Sequence, residues 1–299
     1  MGSKRLRAIA VRGTDKLEAK DPEGLSQCQK WFREHYDRNA DMIHKFGTPR
    51  NVVGMSADGI LPTRNFREGS FEHARELSGQ YMAETILVDR GTCFACAIAC
   101  KRDVADPEHG VSSKYGGPEY ETIAAGGSLC GIGDLKVIAQ FHQLCGQYVM
   151  DTISAGVTIV FAMECYENGI LTAKDTDGIE LRFGNADALL VMTEKMAKRE
   201  GFGDVLADGV KRAAERIGNG AERFAVHVKG LEVPMHEPRG KQAVALSYAT
   251  APVGADHMRA PHDPVYEGFH PSLTDPTDTM ARTPGTTRGY LITPKEPCA

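Results

Sequence analysis

The chain has 299 residues, of which 41% are hydrophobic and 25% charged, as in folded globular proteins and unlike disordered ones. Lysines and arginines number 35 and acidic residues 40, so the formal net charge is −5. This balance excludes a general electrostatic attraction to nucleic acid or anionic lipid. The longest apolar run, residues 153–163, is shorter than the ~20 residues that span a bilayer, and no apolar signal core follows the basic N-terminus. We therefore expect a cytoplasmic protein that binds neither nucleic acid nor a membrane.

Helical spacing of apolar residues dominates the chain after a short N-terminal segment. Charged and apolar residues alternate from Arg5 to Arg12, which predicts a half-buried strand. Helices are predicted over residues 23–38, 71–86, 134–149, 152–167, 185–198 and 206–217, with Asn185 as an N-cap, and residues 224–228 are predicted to be extended. Prolines interrupt the last forty residues and predict an irregular tail. The sequence therefore predicts a mainly α-helical fold.

Three of the eight cysteines lie close together in the segment Cys93-Phe-Ala-Cys96-Ala-Ile-Ala-Cys100. In a reducing compartment such thiols indicate metal or redox chemistry rather than a disulfide framework. The C-x2-C-x3-C spacing suits three corners of one iron–sulfur cube, with small residues between the ligands. A zinc site is an alternative, although a second ligand pair is not visible. Three buried cysteines on a helix are the purely structural alternative. The segment does not supply the fourth ligand of a cube.

Two other groups of polar residues have both a structural and a chemical interpretation. Glu119 and Glu121 lie two residues apart in Gly117-Pro-Glu-Tyr-Glu121 at a predicted helix start, where carboxylates complement the helix dipole. Asp256 and His257 are adjacent, and an aspartate can orient an imidazole or cap a turn. Neither group identifies a function by itself.

The motifs taken together and in order resemble those of the aldehyde ferredoxin oxidoreductase family of tungsten or molybdenum pterin enzymes. The similarity covers roughly residues 1–272. The matching segments are Met1-Gly-Ser-Lys, Ala8-Ile-Ala-Val-Arg-Gly, Leu61-Pro-Thr-Arg-Asn65-Phe, Cys93-Phe-Ala-Cys96 with Cys100, Gly117-Pro-Glu-Tyr-Glu121, Cys130-Gly-Ile, Asp151-Thr-Ile-Ser, Phe161-Ala-Met-Glu, Leu181-Arg-Phe-Gly-Asn185, Gly201-Phe-Gly-Asp204, His227-Val-Lys-Gly230, Pro238-Arg-Gly240 and Gly254-Ala-Asp-His257.

The resemblance implies a domain organisation for this chain. Family members have an N-terminal β-rich domain that cradles two pterins, followed by two mostly helical domains. Residues 1–13 would then be a remnant strand of the β domain, most of which is missing. Residues 14–222 would form a helical domain with the cysteines and Glu121, and residues 223–299 an incomplete second helical domain with the proline-rich tail.

The resemblance also implies site residues. Cys93, Cys96 and Cys100 match three ligands of a [4Fe–4S] cluster. Glu121 and His257 match a glutamate and a histidine on either side of the metal, so we expect them to face one cavity, less than about 15 Å apart. Glu121 would accept a proton from the attacking water or from the adduct, and His257 would polarise the aldehyde carbonyl. Asp256 and Arg259 would flank His257 and fix its orientation.

The chain departs from the family pattern at two of its motifs. The acidic pterin-binding motif is reduced to Gly146-Gln-Tyr-Val-Met-Asp151, in which only Asp151 remains as a cofactor-binding residue. The motif with the fourth cluster cysteine is not found. Cys298 lies at nearly the right distance, but its surroundings, Pro294-Lys-Glu-Pro-Cys298, differ from the motif. Residues from about Met280 onward match nothing in the family.

The implied function is oxidation of an aldehyde with water to a carboxylic acid at a tungsten or molybdenum bis-pterin centre, with electrons passing through a [4Fe–4S] cluster to ferredoxin. A fragment without the pterin domain would be inactive alone. The implied partners are ferredoxin and a small aldehyde, and a separate chain with the missing pterin domain and a second copy of this chain are further candidates. The alternatives are a non-catalytic iron–sulfur electron-transfer or scaffolding subunit and a zinc-binding interaction module.

Overall fold

The computed structural model describes residues 6, 8–15, 18–35, 38–94, 96–259 and 262–263. Eleven α-helices account for most of the regular structure in these ranges, so the predicted mainly helical fold is confirmed. They are α1 (Pro22–Glu34), α2 (Arg38–Phe46), α3 (Val52–Ala57), α4 (Gly79–Thr85), α5 (Tyr120–Gly126), α6 (Leu135–Tyr148), α7 (Thr152–Glu167), α8 (Ala186–Lys198), α9 (Phe202–Leu206), α10 (Val210–Ile217) and α11 (Gln242–Thr250). Short 3₁₀ helices lie at Thr48–Asn51, Pro107–His109, Ser113–Tyr115, Ser128–Cys130 and Ala221–Phe224.

Two small antiparallel sheets complete the described part of the fold. Strand β1 (Leu87–Gly91) pairs with β2 (Lys101–Val104), so that Gly91 lies opposite Lys101. Strand β3 (His227–Val228) pairs with β4 (Leu231–Glu232). The connection between β1 and β2 contains all three cysteines of the C-x2-C-x3-C segment, and the hairpin therefore sets the two ends of this loop side by side.

The predicted N-terminal strand is wrong. Residues 8–14 have no regular secondary structure, and the side chains of Ile9 and Val11 are 72% and 88% exposed. A strand needs a neighbour to satisfy its backbone hydrogen bonds, and none of the described residues supplies one here. The alternating apolar side chains therefore do not pack against a sheet among the described residues.

The hydrophobic core lies around α5, α6, α7 and α8. Every residue of α7 from Ala155 to Cys165 is buried, so this helix is enclosed on all sides rather than amphipathic. Gly156 permits the close crossing of α7 with α5, because a Cβ there would lie 2.6 Å from the carbonyl oxygen of Ala125. This packing fixes the position of α5, the helix that carries Glu121.

The core continues beyond the predicted domain boundary at residues 222 and 223. Val233, Met235, Val244 and Tyr248 belong to the same cluster of buried hydrophobic residues as the α5 and α7 side chains. The segment after β4 is therefore packed directly against the helices around Glu121. The domain limits themselves remain predictions, and the predictions for the tail and Cys298 lie outside the described residues.

Local signals located some helices correctly and others only in part. Helices α6, α7 and α8 lie within one residue of the predicted limits, and the Asn185 side chain accepts a hydrogen bond from Ala188 N as an N-cap. The helix predicted from residue 71 begins only at Gly79, because Ser78 caps it and the chain turns before that point. The helix predicted over 206–217 is broken before Val210, since Gly209 has a φ of +88°. Only residues 227–228 of the predicted extended segment form a strand.

No single described helix is long and apolar enough to cross a bilayer. The segments Tyr120–Cys130 and Leu135–Tyr148 reach that hydropathy only as a pair, with a bend of 120° between them.

Candidate active site and cysteine loop

Glu121 lies in the first turn of α5, and one of its carboxylate oxygens is fixed by the backbone. Oε2 accepts a hydrogen bond of 2.8 Å from the amide of Met235, which follows β4. The neighbouring Tyr120 donates its hydroxyl hydrogen to the carbonyl oxygen of Met235. The start of α5 is thus attached to the segment after β4 by two hydrogen bonds, which hold the Glu121 side chain in one orientation.

The second carboxylate oxygen, Oε1, faces two imidazoles. His236 Nε2 lies 3.0 Å from Oε1, and His257 Nε2 lies 3.7 Å from it. Oε1 is buried, and neither contact has the alignment of a hydrogen bond. Glu121 and His257 therefore meet, well within the predicted 15 Å, but they lie against each other rather than on opposite sides of a cavity. Oε1 is therefore the Glu121 oxygen without a hydrogen-bond partner among the described residues.

Burial controls the protonation of these groups. Desolvation raises the pKa of Glu121, and the nearby His257 and the amide of Met235 oppose this shift. Desolvation also lowers the pKa of His257, opposed by the charge of Glu121, and lowers the pKa of His236 to about 2. Both imidazoles are therefore neutral near pH 7, and the carboxylate is poised to take up a proton more readily than an exposed glutamate.

Sequence reasoning missed His236, Lys241 and His262 in this site. The Nζ atom of Lys241 lies 2.9 Å from His236 Nδ1, and both side chains are buried. His262 packs edge-on against the His236 ring at 4.3 Å, and its Nε2 atom lies 3.0 Å from the carbonyl oxygen of His257. A signal was available, because His236 and Lys241 flank the quoted Pro238-Arg-Gly240 motif.

The donor atoms of Glu121, His236 and His257 lie within 4.8 Å of one another, a spacing that one metal ion could bridge. The surroundings of His236 do not fit a metal ligand. A lysine ammonium only donates hydrogen bonds, so the 2.9 Å contact with Lys241 favours an acceptor at His236 Nδ1 and a ring proton on Nε2, the atom that faces Glu121. We therefore interpret the three residues as an acid–base group rather than a mononuclear metal site.

The side chains predicted to orient His257 pair with each other. Arg259 Nε lies 3.0 Å from Asp256 Oδ2, and Asp256 Oδ1 accepts a hydrogen bond from the amide of Met258. Asp256 acts on His257 through its charge, which raises the pKa of the imidazole slightly against the larger effect of burial. The pair therefore stabilises the turn that carries His257.

The cysteine loop presents its thiols rather than burying them. Cys93 and Cys96 are exposed and Cys100 is half-buried, and the segment is a loop between β1 and β2. The alternative of three buried cysteines on a helix is therefore wrong. The Thr92 hydroxyl bonds to the carbonyl oxygens of Cys93 and Cys96 and tightens the turn. Accessible thiols on a tight turn are a donor set that fits an iron–sulfur cluster.

Arg102 anchors this loop to the rest of the protein. Its side chain is 1% exposed. Its guanidinium donates to the carbonyl oxygens of Ala99 and Cys100 in the loop, and to those of His44 and Lys45 in α2, at 2.9–3.0 Å. Four carbonyl groups from two segments thus share one buried cation, which fixes the end of the cysteine loop relative to α2.

A short path connects the cysteine loop with Glu121. Gly47 has a φ of +66°, and a Cβ there would lie 3.2 Å from the carbonyl oxygen of Cys100. The next residue, Thr48, donates its hydroxyl hydrogen to the Glu119 carboxylate and accepts a hydrogen bond of 2.9 Å from Tyr120 N. The negative charge of Glu119 also raises the pKa of Cys100, after the larger effect of burial. Glu119 therefore interacts with the cysteine loop, whereas Glu121 contacts the two histidines.

Asp151 is the N-cap of α7 in this structure. Its Oδ1 atom accepts a hydrogen bond of 2.8 Å from Ser154 N, and the side chain is exposed. This contact explains the residue without a ligand, although the other carboxylate oxygen is not used by the cap. The predicted pterin-binding role of Asp151 remains a prediction.

Comparisons with known proteins agree with the order of these motifs. The family model described as aldehyde ferredoxin oxidoreductase, domains 2 & 3, matches residues 23–290. The chain is 41% identical over 265 residues to the tungsten-containing aldehyde ferredoxin oxidoreductase of Pyrococcus abyssi, and 40% identical over 263 residues to that of Thermococcus kodakarensis. Each alignment covers 87% of this chain and 43% of the relative. The chain thus spans less than half the length of these curated relatives.

A solved structure shares the fold at lower sequence identity. The active-site complex BamBC of benzoyl coenzyme A reductase with 1,5-dienoyl-CoA superposes with a TM-score of 0.62 at 20% identity, over 97% of this chain and 46% of that one. Because the family model covers most of the chain, this protein belongs to the aldehyde ferredoxin oxidoreductase family, in the region of its second and third domains.

Proposed function

We propose that this chain provides the cluster-binding loop and the acid–base residues of an enzyme that oxidises an aldehyde with water to a carboxylic acid. The observation that carries the proposal is the contact of Glu121 Oε1 with His257 Nε2 at 3.7 Å, in a buried site. The family and its tungsten-containing relatives support a tungsten or molybdenum bis-pterin as the cofactor. A buried carboxylate oxygen without an aligned donor fits a position beside such a group and its substrate.

The residues of this chain have separate roles in the proposed reaction. Glu121 Oε1 accepts a proton, either from the attacking water or from the adduct that it forms with the aldehyde, because its raised pKa makes it a stronger base than an exposed carboxylate. His257, neutral through burial, donates a hydrogen bond to the carbonyl oxygen when Nε2 carries the proton. The pterin-bound metal supplies the two-electron acceptor. Burial of Oε1 limits the access of bulk water to this atom.

The cysteine loop would hold the electron-transfer group. Cys93, Cys96 and Cys100 would supply three thiolates to a [4Fe–4S] cluster, which would provide one-electron transfer to ferredoxin when bound. The path from Cys100 through Gly47 and Thr48 to the start of α5 supports a cluster close to the oxidised substrate. Closeness matters because the electrons have to travel from one group to the other.

Iron content tests the cluster assignment. After anaerobic reconstitution, the wild-type chain should be brown and contain iron and sulfide, whereas Cys96→Ala should lose most of its iron. Cys165→Ala is the matched control, because that thiol is buried in α7. Equal iron in Cys96→Ala and the control would contradict the cluster, and a colourless protein with one zinc per chain would favour the zinc-binding module.

Turnover tests the acid–base assignment. Protein produced anaerobically in a host that makes the tungsten cofactor, together with the domain that carries the pterins, should reduce a viologen dye with an aldehyde. Glu121→Gln should lower kcat by about 10²–10⁴-fold, and Glu108→Gln, an exposed carboxylate, should not. Full iron with no aldehyde oxidation by the wild type would favour the non-catalytic electron-transfer subunit.

A further inference from the structure

The buried side chains of Lys241 and His236 form a line with Glu121, whose Oε1 atom is also buried. Lys241 Nζ lies 2.9 Å from His236 Nδ1, and His236 Nε2 lies 3.0 Å from Glu121 Oε1. Lys241 and His236 are 7% and 8% exposed. Neither residue is assigned a role by the proposed function, although they connect directly to its base.

The chemistry of the lysine determines where the histidine carries its proton. An ammonium has three donor hydrogens and no acceptor, whereas a neutral imidazole has one donor and one acceptor nitrogen. With Lys241 donating to Nδ1, the single ring proton of His236 is on Nε2. The Nε2–H group then faces Glu121 Oε1 at 3.0 Å without the alignment of a hydrogen bond, so it acts on this oxygen through its positive dipole.

The ring of His236 is held in place by its neighbours. Tyr248 on α11 directs its hydroxyl toward the carbonyl oxygen of His236 at 3.4 Å, and the His236 amide donates to the carbonyl oxygen of Pro234. The rings of His262 and His257 pack against it at 4.3 Å and 5.2 Å. A flip of the ring would place carbon atoms against Lys241 and Glu121 and lose both polar contacts.

The charge of Lys241 has partners of opposite sign. Burial lowers the pKa of this lysine, and the carboxylates of Asp263 and Glu121 oppose that effect. Asp263 is itself buried, with Oδ1 accepting from Ala243 N and Oδ2 without a hydrogen bond. Lys241 therefore lies between the carboxylates of Asp263 and Glu121, and the His236 ring separates it from Glu121.

We infer that Lys241 is a positioning residue for Glu121: it fixes His236 in the Nε2–H tautomer, and the His236 N–H in turn stabilises the ionised form of the carboxylate. The inference rests on the proposed function in taking Glu121 as the base. Among the described residues, Tyr120, Tyr248, His257 and His262 are the other titratable groups that interact with this carboxylate.

Nitrogen-15 NMR of the histidines tests the tautomer without any cofactor. In the wild-type chain at neutral pH, His236 should show a protonated Nε2 and an unprotonated Nδ1. Lys241→Met should populate the Nδ1–H form, and Lys241→Arg, which keeps a cation that can only donate, should restore the wild-type pattern. Lys211→Met is the control, because that lysine is exposed. A wild-type His236 with its proton on Nδ1 would overturn the inference, whether or not any variant folds.

The protonation of Glu121 gives a second readout. The infrared band of its protonated carboxyl, identified by its loss in Glu121→Gln, should disappear at a pH about one unit higher in Lys241→Met than in the wild type. If folded Lys241→Met keeps the wild-type tautomer of His236 and loses the Glu121 carboxyl band at the wild-type pH, the inference is wrong. If the proposed function is wrong, the wild-type holoenzyme does not oxidise aldehydes. That result would not change the His236 tautomer or the Glu121 infrared band, so the two failures can be distinguished.

Discussion

Glu121 Oε1 lies 3.7 Å from His257 Nε2, although the first residue is on α5 and the second follows α11 near the end of the described chain. The contact depends on the hydrogen bond from Met235 N to Glu121 Oε2, which attaches the start of α5 to the segment leading into α11. Packing in the core therefore assembles the candidate base and its histidines from distant parts of the sequence.

Glu121→Gln should alter the pH dependence of stability. The pKa of Glu121 is raised in the folded state, so the unfolded chain releases this proton first as pH rises, and folding loses stability from about pH 4.5 up to the folded-state pKa. The glutamine variant does not lose this proton. Its stability relative to wild type should therefore increase between pH 4 and pH 8, as measured by urea unfolding. A difference that stays constant or falls over this range would contradict the buried-carboxylate assignment.

Arg102→Leu should destabilise the protein and loosen the cysteine loop. The substitution leaves carbonyl oxygens of α2 and of the loop without their shared donor, at a cost of about 2–4 kcal/mol. Urea unfolding measures the loss, and iron retained after reconstitution measures the effect on the loop. Arg90→Leu, at an exposed position on β1, is the control. Equal stability and iron in both variants would show that Arg102 does not anchor the loop.

Gly156→Ala and Gly146→Ala should have opposite effects. A Cβ at Gly156 would lie 2.6 Å from the carbonyl oxygen of Ala125 and separate α7 from α5, whereas the nearest atom to a Cβ at Gly146 is 3.8 Å away in the Tyr115 ring. We expect Gly156→Ala to lose about 1–3 kcal/mol and Gly146→Ala in α6 to gain up to about 1 kcal/mol from helix propensity. Thermal unfolding of both variants checks the signs. A loss in Gly146→Ala equal to that in Gly156→Ala would argue against a specific close crossing.

Two substitutions at Asp151 separate its capping from a cofactor role. Asp151→Ala removes the acceptor for Ser154 N and should cost about 1 kcal/mol, whereas Asp151→Asn keeps a good N-cap. The stability measured by urea unfolding should therefore be close to wild type in Asp151→Asn and lower in Asp151→Ala. A pterin contact through the charge would appear as reduced tungsten content in Asp151→Asn at unchanged stability. Full tungsten content in that variant would leave only the capping role.

The helical class and the family were predictable from the sequence, and the structure and the comparisons confirm both. Apolar spacing located α7, and apolar spacing together with the cap Asn185 located α8, because these signals act within one or a few helical turns. The three cysteines and Glu121 were recognisable from their spacing and their order among the family motifs. The limits of α4 and the break before α10 were missed because they depend on Ser78 as a cap and on the positive φ of Gly209.

The surroundings of Glu121 depend on tertiary packing and were not predictable from local sequence. The N-terminal alternation predicted a strand, but a strand forms only with a partner that can share its hydrogen bonds. The sequence signal for His236 and Lys241 was only their position beside Pro238-Arg-Gly240, because burial and the contact with Glu121 arise from tertiary packing. Local sequence thus sets which helices can form, whereas the pKa shifts and the meeting of Glu121 with His257 arise from long-range packing.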